Sequence, residues 1–290
     1  MHLRHISLLA CLLAFGCGGS GGDSEIVVSA FALEEARTGI APEQTADDFA
    51  VRFEHVILEL EGFYAETTMG ADADLDPSPV LVELVPRAAE VFVFEGLEAR
   101  RWDEVGFSSA PPPEGVRFAN EVDPALAERM VTEGWSQLIT GTLVAPDGAE
   151  FPFAIGFPVE VVYRSCESGT DRTLGIVTPV NGVAEVEITW HLTHLFFDSY
   201  QEDVALRAEP FAAVYDGENP ITLEDLRMQP LADIRGLDGE PLLDDRGNPV
   251  LYVPPPGGAE TLREFVLASR FGHFNGLEGF CMTELTVLEE

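Results

Sequence analysis

His191 and His194 stand three residues apart, and His273 with Glu278 lie in a second stretch some eighty positions later. Imidazole nitrogens joined by a carboxylate oxygen form the mixed donor set of zinc and copper. Spacing decides whether the first pair can act together. On a helix, positions three apart share a face; on a strand they point to opposite faces. The alternation leading into His191 favours a strand, so the two rings converge only if that strand ends or bulges between them. On residue types alone, hydrogen-bonded structural histidines beside the Cys166–Cys281 pair are the favoured reading, and a transition-metal site is the competing one.

A second set of oxygens falls in the register of a calcium loop. Over Val214 to Asp225, Asp216 and Glu218 occupy the third and fifth places and Asp225 the twelfth. Val214 offers no side-chain oxygen at the first place, and Asn219 replaces the turn glycine. The pattern is that of a degenerate calcium loop retained as a helix-loop-helix. Asp72, Asp74 and Asp76 also alternate, but Pro77 stands where such a loop needs glycine, so an acidic, solvated hairpin tip is expected there. The chain has no nucleophile elbow, no phosphate-cradling glycine loop and no His-Glu-x-x-His. A non-enzymatic protein is expected.

The elements that must position these residues read mainly as strands. Segments 25–32, 49–64, 80–85, 89–94, 135–144, 151–163 and 183–192 are apolar and β-rich, with a dense run at Val56-Ile57-Leu58 that fits burial on both faces. Turn chemistry separates them: Pro77-Ser78-Pro79, Pro111-Pro112-Pro113, Pro146-Asp147-Gly148 and Asn181-Gly182. Pro124 to Glu133 reads as a helix with proline in its first turn. Beyond Leu195 the pattern changes: Glu202 to Val214, Thr222 to Ile234 and Thr261 to Phe271 have helical spacing, around a Gly/Pro/Asp loop from Arg235 to Gly258. Thr283 to Leu288 reads as a last strand. The fold class expected is mainly β: an antiparallel β-sandwich over 26–290, with a helical insert at about 198–272 near the C-terminus.

The N-terminus carries an address. Ile6 to Phe15 is an apolar run too short to span a bilayer but suited to a secretory signal. It ends in Leu13-Ala14-Phe15-Gly16-Cys17, which resembles the lipobox of bacterial lipoproteins, although Leu13 stands four rather than three residues before the cysteine. Cys11 has the better spacing but too few apolar residues upstream. The resemblance implies a signal peptide over 1–16, lipidation of Cys17, and a Gly/Ser tether over 17–25. Gly18 in place of the usual retention aspartate implies the outer membrane. An ordinary signal peptide cut nearby is the alternative. Two cysteines then remain, Cys166 and Cys281, for which a disulfide is the economical reading in an oxidising compartment and a thiolate metal pair the alternative.

Charge narrows the partners. The 290 residues hold 51 acidic and 16 basic side chains, every basic one an arginine, for a net charge of -35. Such a surface repels phosphate backbones and anionic headgroups, which excludes nucleic-acid binding and a polybasic membrane patch. Contact with a membrane would therefore come through the lipid alone. Divalent cations and basic partners remain open, and no protein partner is named by the sequence. An apolar content of 46% excludes global disorder.

From Met130 onward the order of segments resembles a group of uncharacterised myxobacterial lipoproteins. The carrying residues are Glu133-Gly134-Trp135-Ser136, Phe153-Ala154-Ile155-Gly156-Phe157, Tyr163 with Cys166, His191-Leu192-Thr193-His194-Leu195-Phe196-Phe197-Asp198, Ile221-Thr222-Leu223-Glu224-Asp225-Leu226, and Gly272 to Cys281. The resemblance covers somewhat more than half the chain and implies no activity. Members of that group commonly carry an Asp and a His where this chain has Thr193 and Phe280, which implies weaker metal binding here, or none, if the group binds a metal. A fainter likeness, through Met130 to Trp135, connects the chain to the methanobactin-associated periplasmic copper-binding proteins. The sequence thus points first to a lipid-anchored envelope protein with a binding or interaction role. The alternative is a protein that binds copper, zinc or calcium.

Overall fold

The structure, a computed structural model, describes residues 23–68, 75, 78–85, 88–168, 171–201, 204–269, 271–275 and 279–288. The signal, Cys17 and most of the tether, the acidic tip with Asp72, Asp74 and Asp76, and Glu278 lie outside these residues.

The chain is mainly β. Its strands are β1 (Ser24–Ala32), β2 (Ala50–Glu66), β3 (Val80–Glu83), β4 (Ala89–Leu97), β5 (Arg101–Trp102), β6 (Glu104–Ser109), β7 (Arg117–Phe118), β8 (Gln137–Val144), β9 (Glu150–Phe157), β10 (Val159–Glu167), β11 (Ile176–Val177), β12 (Val183–Trp190), β13 (Gly272–Phe274) and β14 (Phe280–Val287). The α-helices are α1 (Glu35–Thr38), α2 (Pro124–Glu133), α3 (Glu209–Ala212) and α4 (Leu262–Leu267).

A four-stranded sheet has the order β13-β12-β1-β4, and a larger one the order β14-β10-β6-β2-β3-β7, with β8 pairing both β2 and β9. The inward residues of the small sheet, Ile26, Val28, Ile188 and Trp190 among them, share one core with Phe63, Phe107 and Tyr163 of the large sheet. Phe63 stacks on Phe94 at 5.5 Å, and Tyr163 meets Trp190 edge-on at 6.3 Å. The two sheets therefore pack face to face, as in a sandwich.

The expected all-antiparallel arrangement is corrected at two pairings. β1 lies parallel to β12, Ile26 opposite Ala184 and Ala30 opposite Ile188, and β3 lies parallel to β7. A parallel neighbour must arrive by a long crossover, and β12 reaches β1 after about 150 intervening residues. Period-2 alternation in each strand is blind to that choice.

The dense run in β2 is buried on both faces, as expected. Val56, Ile57, Leu58 and Leu60 are fully buried. One face belongs to the main core; the other, at Ile57, packs with Leu81, Leu138, Ala127 and Met130 under α2. Helix α2 begins where its sequence signals place it. The Asp123 carboxylate accepts the Ala125 N–H at 2.8 Å, Pro124 fills the first turn, and Gly134 closes the helix in the left-handed region at φ 67°.

The helical insert is corrected more strongly. In place of two helices over 202–214 and 222–234, the described residues give only the one-turn α3 and two 3-10 turns, Asp225–Met228 and Leu231–Asp233. Pro210 and Pro230 sit inside the periodic runs, and an interior proline removes one helical hydrogen bond and clashes with the preceding turn. The apolar residues still point inward, with Phe211, Leu226 and Leu231 buried, but from turns. Thr261 to Phe271 contributes only α4, opened by a capping box between Thr261 and Glu264. Segment 235–258 is a run of turns. Among the described residues, no helix is long and apolar enough to cross a membrane.

Candidate metal centre

Strand β12 ends at Trp190, and this ending brings the histidines together. His191 is the first residue beyond it; its N–H donates to the Phe271 carbonyl at 2.9 Å, closing the edge of the sheet. The chain then turns into a 3-10 helix, Leu192–Phe196. Residues three apart eclipse on such a helix, so His194 returns to the side of His191. On β13, His273 pairs in register with Thr189, one step from the end of β12. The rings of His191 and His273 lie 4.0 Å apart and nearly parallel, at 27°. His194 approaches them at 5.2 and 5.5 Å.

One candidate donor atom from each of the three rings lies within 4.8 Å of the other two. An ion with bonds of about 2.0–2.1 Å holds tetrahedral nitrogens about 3.3 Å apart, so the donors would have to draw closer to seat one. Among the described residues, this is the one group of three metal-ligating side chains that converges.

The protonation chemistry suits a ligand set. Burial, reinforced by the neighbouring His273 and His194, pushes the His191 imidazole down to about 3. Its Nε2 is buried with no hydrogen-bond partner among the described residues. Burial also lowers His273, opposed by its contact with the Gly279 carbonyl. That contact, His273 Nδ1 to Gly279 O at 3.0 Å, fixes the ring when Nδ1 carries the proton and leaves Nε2 as a lone pair. Neutral imidazoles, at least one with an unsatisfied buried nitrogen, are ready for a cation without displacing a proton.

The surroundings hold the site from behind. Asp198, two residues past the 3-10 turn, is not available as a ligand. Its carboxylate accepts Arg207 Nε and the Ala205 N–H, both at 2.9 Å, in a buried ion pair. Cys166 and Cys281 are disulfide-bonded. The bond joins β10 to β14 two residues beyond Gly279, so the carbonyl that fixes His273 belongs to a tethered segment. On the open side, His194 and His273 border a cavity of about 320 Å³ whose other walls include Phe197, Tyr200 and Val204. A larger acidic concavity of about 920 Å³ lies elsewhere, around His55 and Glu83. There the Glu83 carboxylate is committed to His55 Nδ1 and to the Val56 and Val85 N–H groups.

The other residues singled out by sequence separate from this centre. Glu278 lies outside the described residues. Asp216 accepts the N–H groups of Glu218 and Asn219 at 2.8 and 2.9 Å, closing its own turn. Asp225 accepts from the Thr222 N–H and hydroxyl. Asp216, Glu218 and Asp225 do not converge as a ligand group. Phe280 is about half exposed on β14. The cavity walls were missed by sequence reasoning, although Phe197 stands only three residues beyond His194; an aromatic there reads equally well as core.

No family model matches the chain, and no curated protein sequence matches it. Among solved structures, MbnP from Methylosinus trichosporium aligns over 78% of this chain and 93% of its own, at 14% identity and a TM-score of 0.33. The assignment of the histidine centre rests on its own geometry.

Proposed function

We propose that this protein binds a single zinc- or copper-class ion through His191, His194 and His273, and that it works as a metal-binding protein without catalysis. The observation that carries this reading is the convergence of three imidazole donors within 4.8 Å. The orphaned His191 Nε2 and the His273–Gly279 contact support it. Three imidazole nitrogens match borderline ions and are poor ligands for calcium or magnesium. Equilibrium dialysis of the mature protein should find one bound zinc or copper ion per chain. His191→Ala and His273→Ala should each weaken binding by more than about 100-fold, beyond the 10–100-fold typical of losing an outer-shell partner. Equal uptake by wild type and both variants would refute the proposal.

The resemblance of the N-terminus to a lipobox supports placing this site at the end of a lipid tether on the cell envelope, through Cys17. Cys17→Ser should move the protein from the membrane to the soluble fraction, and a variant that stays membrane-bound would remove this part of the reading.

A further inference from the structure

Among the described residues the histidine centre offers three protein donors, and two of them border a cavity. We infer that a bound ion completes its coordination with a neutral, flat nitrogen donor of the azole class, which enters through the cavity bordered by His194 and His273. This inference rests on the metal-binding reading.

Coordination number comes first. A three-nitrogen set leaves one tetrahedral position for an outside ligand, and sites closed by four protein ligands lack that vacancy. Position follows from the cavity walls: two of the three candidate ligands form part of them, so an ion seated among the histidines borders the cavity directly. The cavity, about 320 Å³, is at the lower end of the range for small-molecule sites and suits one small ring.

The walls then select the ligand's character. Beside the histidines they are Phe197, Ser199, Tyr200, Gln201, Val204 and Ser269, so among the described lining residues none carries a formal charge. An anion entering there would lose its hydration and find, among the described lining residues, no counter-charge to add to that of the ion. A neutral ring would instead lie against aromatic and aliphatic surface. The Phe197 ring already packs on His194 at 4.5 Å. The Tyr200 hydroxyl lies 3.0 Å from Ser269 Oγ and 3.2 Å from the Phe265 carbonyl, so its polar end is engaged and its ring is left as wall.

Cobalt(II) provides a visible probe of coordination, and imidazole serves as the donor. Titrating imidazole into the cobalt-loaded mature protein should shift the visible bands saturably, with cobalt retained. Val204→Trp and Gln201→Trp fill the cavity from exposed positions outside the ligand set. Both should keep one cobalt per chain and a wild-type melting temperature, and both should weaken imidazole binding by at least 10-fold. Unchanged bands in the loaded wild type, release of cobalt by imidazole, or wild-type imidazole affinity in both variants would each overturn the inference while leaving the metal site standing. Failure of the wild type to take up cobalt, zinc or copper would instead defeat the metal-binding reading, and this inference with it.

Discussion

A buried imidazole that stays neutral has no proton to lose before it binds an ion. His191, held down to about 3, stays neutral throughout the mildly acidic range, and His273 is shifted in the same direction. Zinc or copper affinity should therefore fall by no more than about 10-fold from pH 7 to 5.5, where three histidines of ordinary basicity would together lose roughly several hundred-fold. Competition titrations at the two pH values check this; the larger loss would show that the rings are protonated as in water. A different residue governs stability. Glu59 is fully buried in β2, its Oε2 accepts the Ala110 N–H at 2.6 Å, and its Oε1 has no partner among the described residues. Burial, with a smaller push from Glu61, raises its carboxyl to about 9. The folded state thus holds a proton that the unfolded chain releases near the ordinary 4.5. Its stabilising effect is complete below about pH 4.5 and is lost as pH climbs towards 9. Glu59→Gln should remove that slope, gaining several degrees in melting temperature over wild type at pH 8 and little at pH 4.5, at about 2–4 °C per kcal/mol. The same difference at both pH values would contradict it. The sequence exposed the candidate ligands, because histidine is scarce and its spacing is visible. It could not expose Glu59's role, since one glutamate among many carries no mark of burial until the strands on either side are known.

At the scale of elements, the centre depends on where strands stop. A strand reaching through His194 would have sent its ring away from His191; β12 instead yields to a 3-10 turn, and the antiparallel partner β13 supplies the third ring. Strand segments and α2 were legible because their patterns have clear periods and caps. Segment 151–163 split into β9 and β10 around Pro158, and the short β13 left no period to detect. The helices expected at 202–214 and 222–234 failed because inward spacing can be met by turns once a proline forbids the helix. The disulfide links this architecture to the site. Cys281 fixes the chain two residues after Gly279, whose carbonyl orients His273. Reduction should speed amide exchange over 279–287 ahead of β1 and β2, and should weaken metal binding by about 10-fold, as for losing an outer-shell partner. Unchanged affinity in the reduced, still folded protein would separate the bond from the site.

Over the whole molecule, a net charge of -35 surrounds the imidazole set. The field draws cations in while the imidazoles determine which ion remains, so it should govern the rate of loading more than selectivity. Raising ionic strength from about 10 to about 200 mM shortens the screening length from roughly 30 Å to under 10 Å. The zinc association rate should fall several-fold over that range, as stopped-flow with a chelating indicator can measure. A salt-independent rate would remove the role assigned to the acidic surface. The decisive measurement is X-ray absorption on the zinc-loaded mature protein. The expected spectrum has a nitrogen and oxygen first shell at about 2.0–2.1 Å with outer-shell scattering from three imidazoles, reduced by one ring in His273→Ala. A sulfur shell near 2.3 Å, or an oxygen shell without imidazole scattering, would contradict the three-histidine centre.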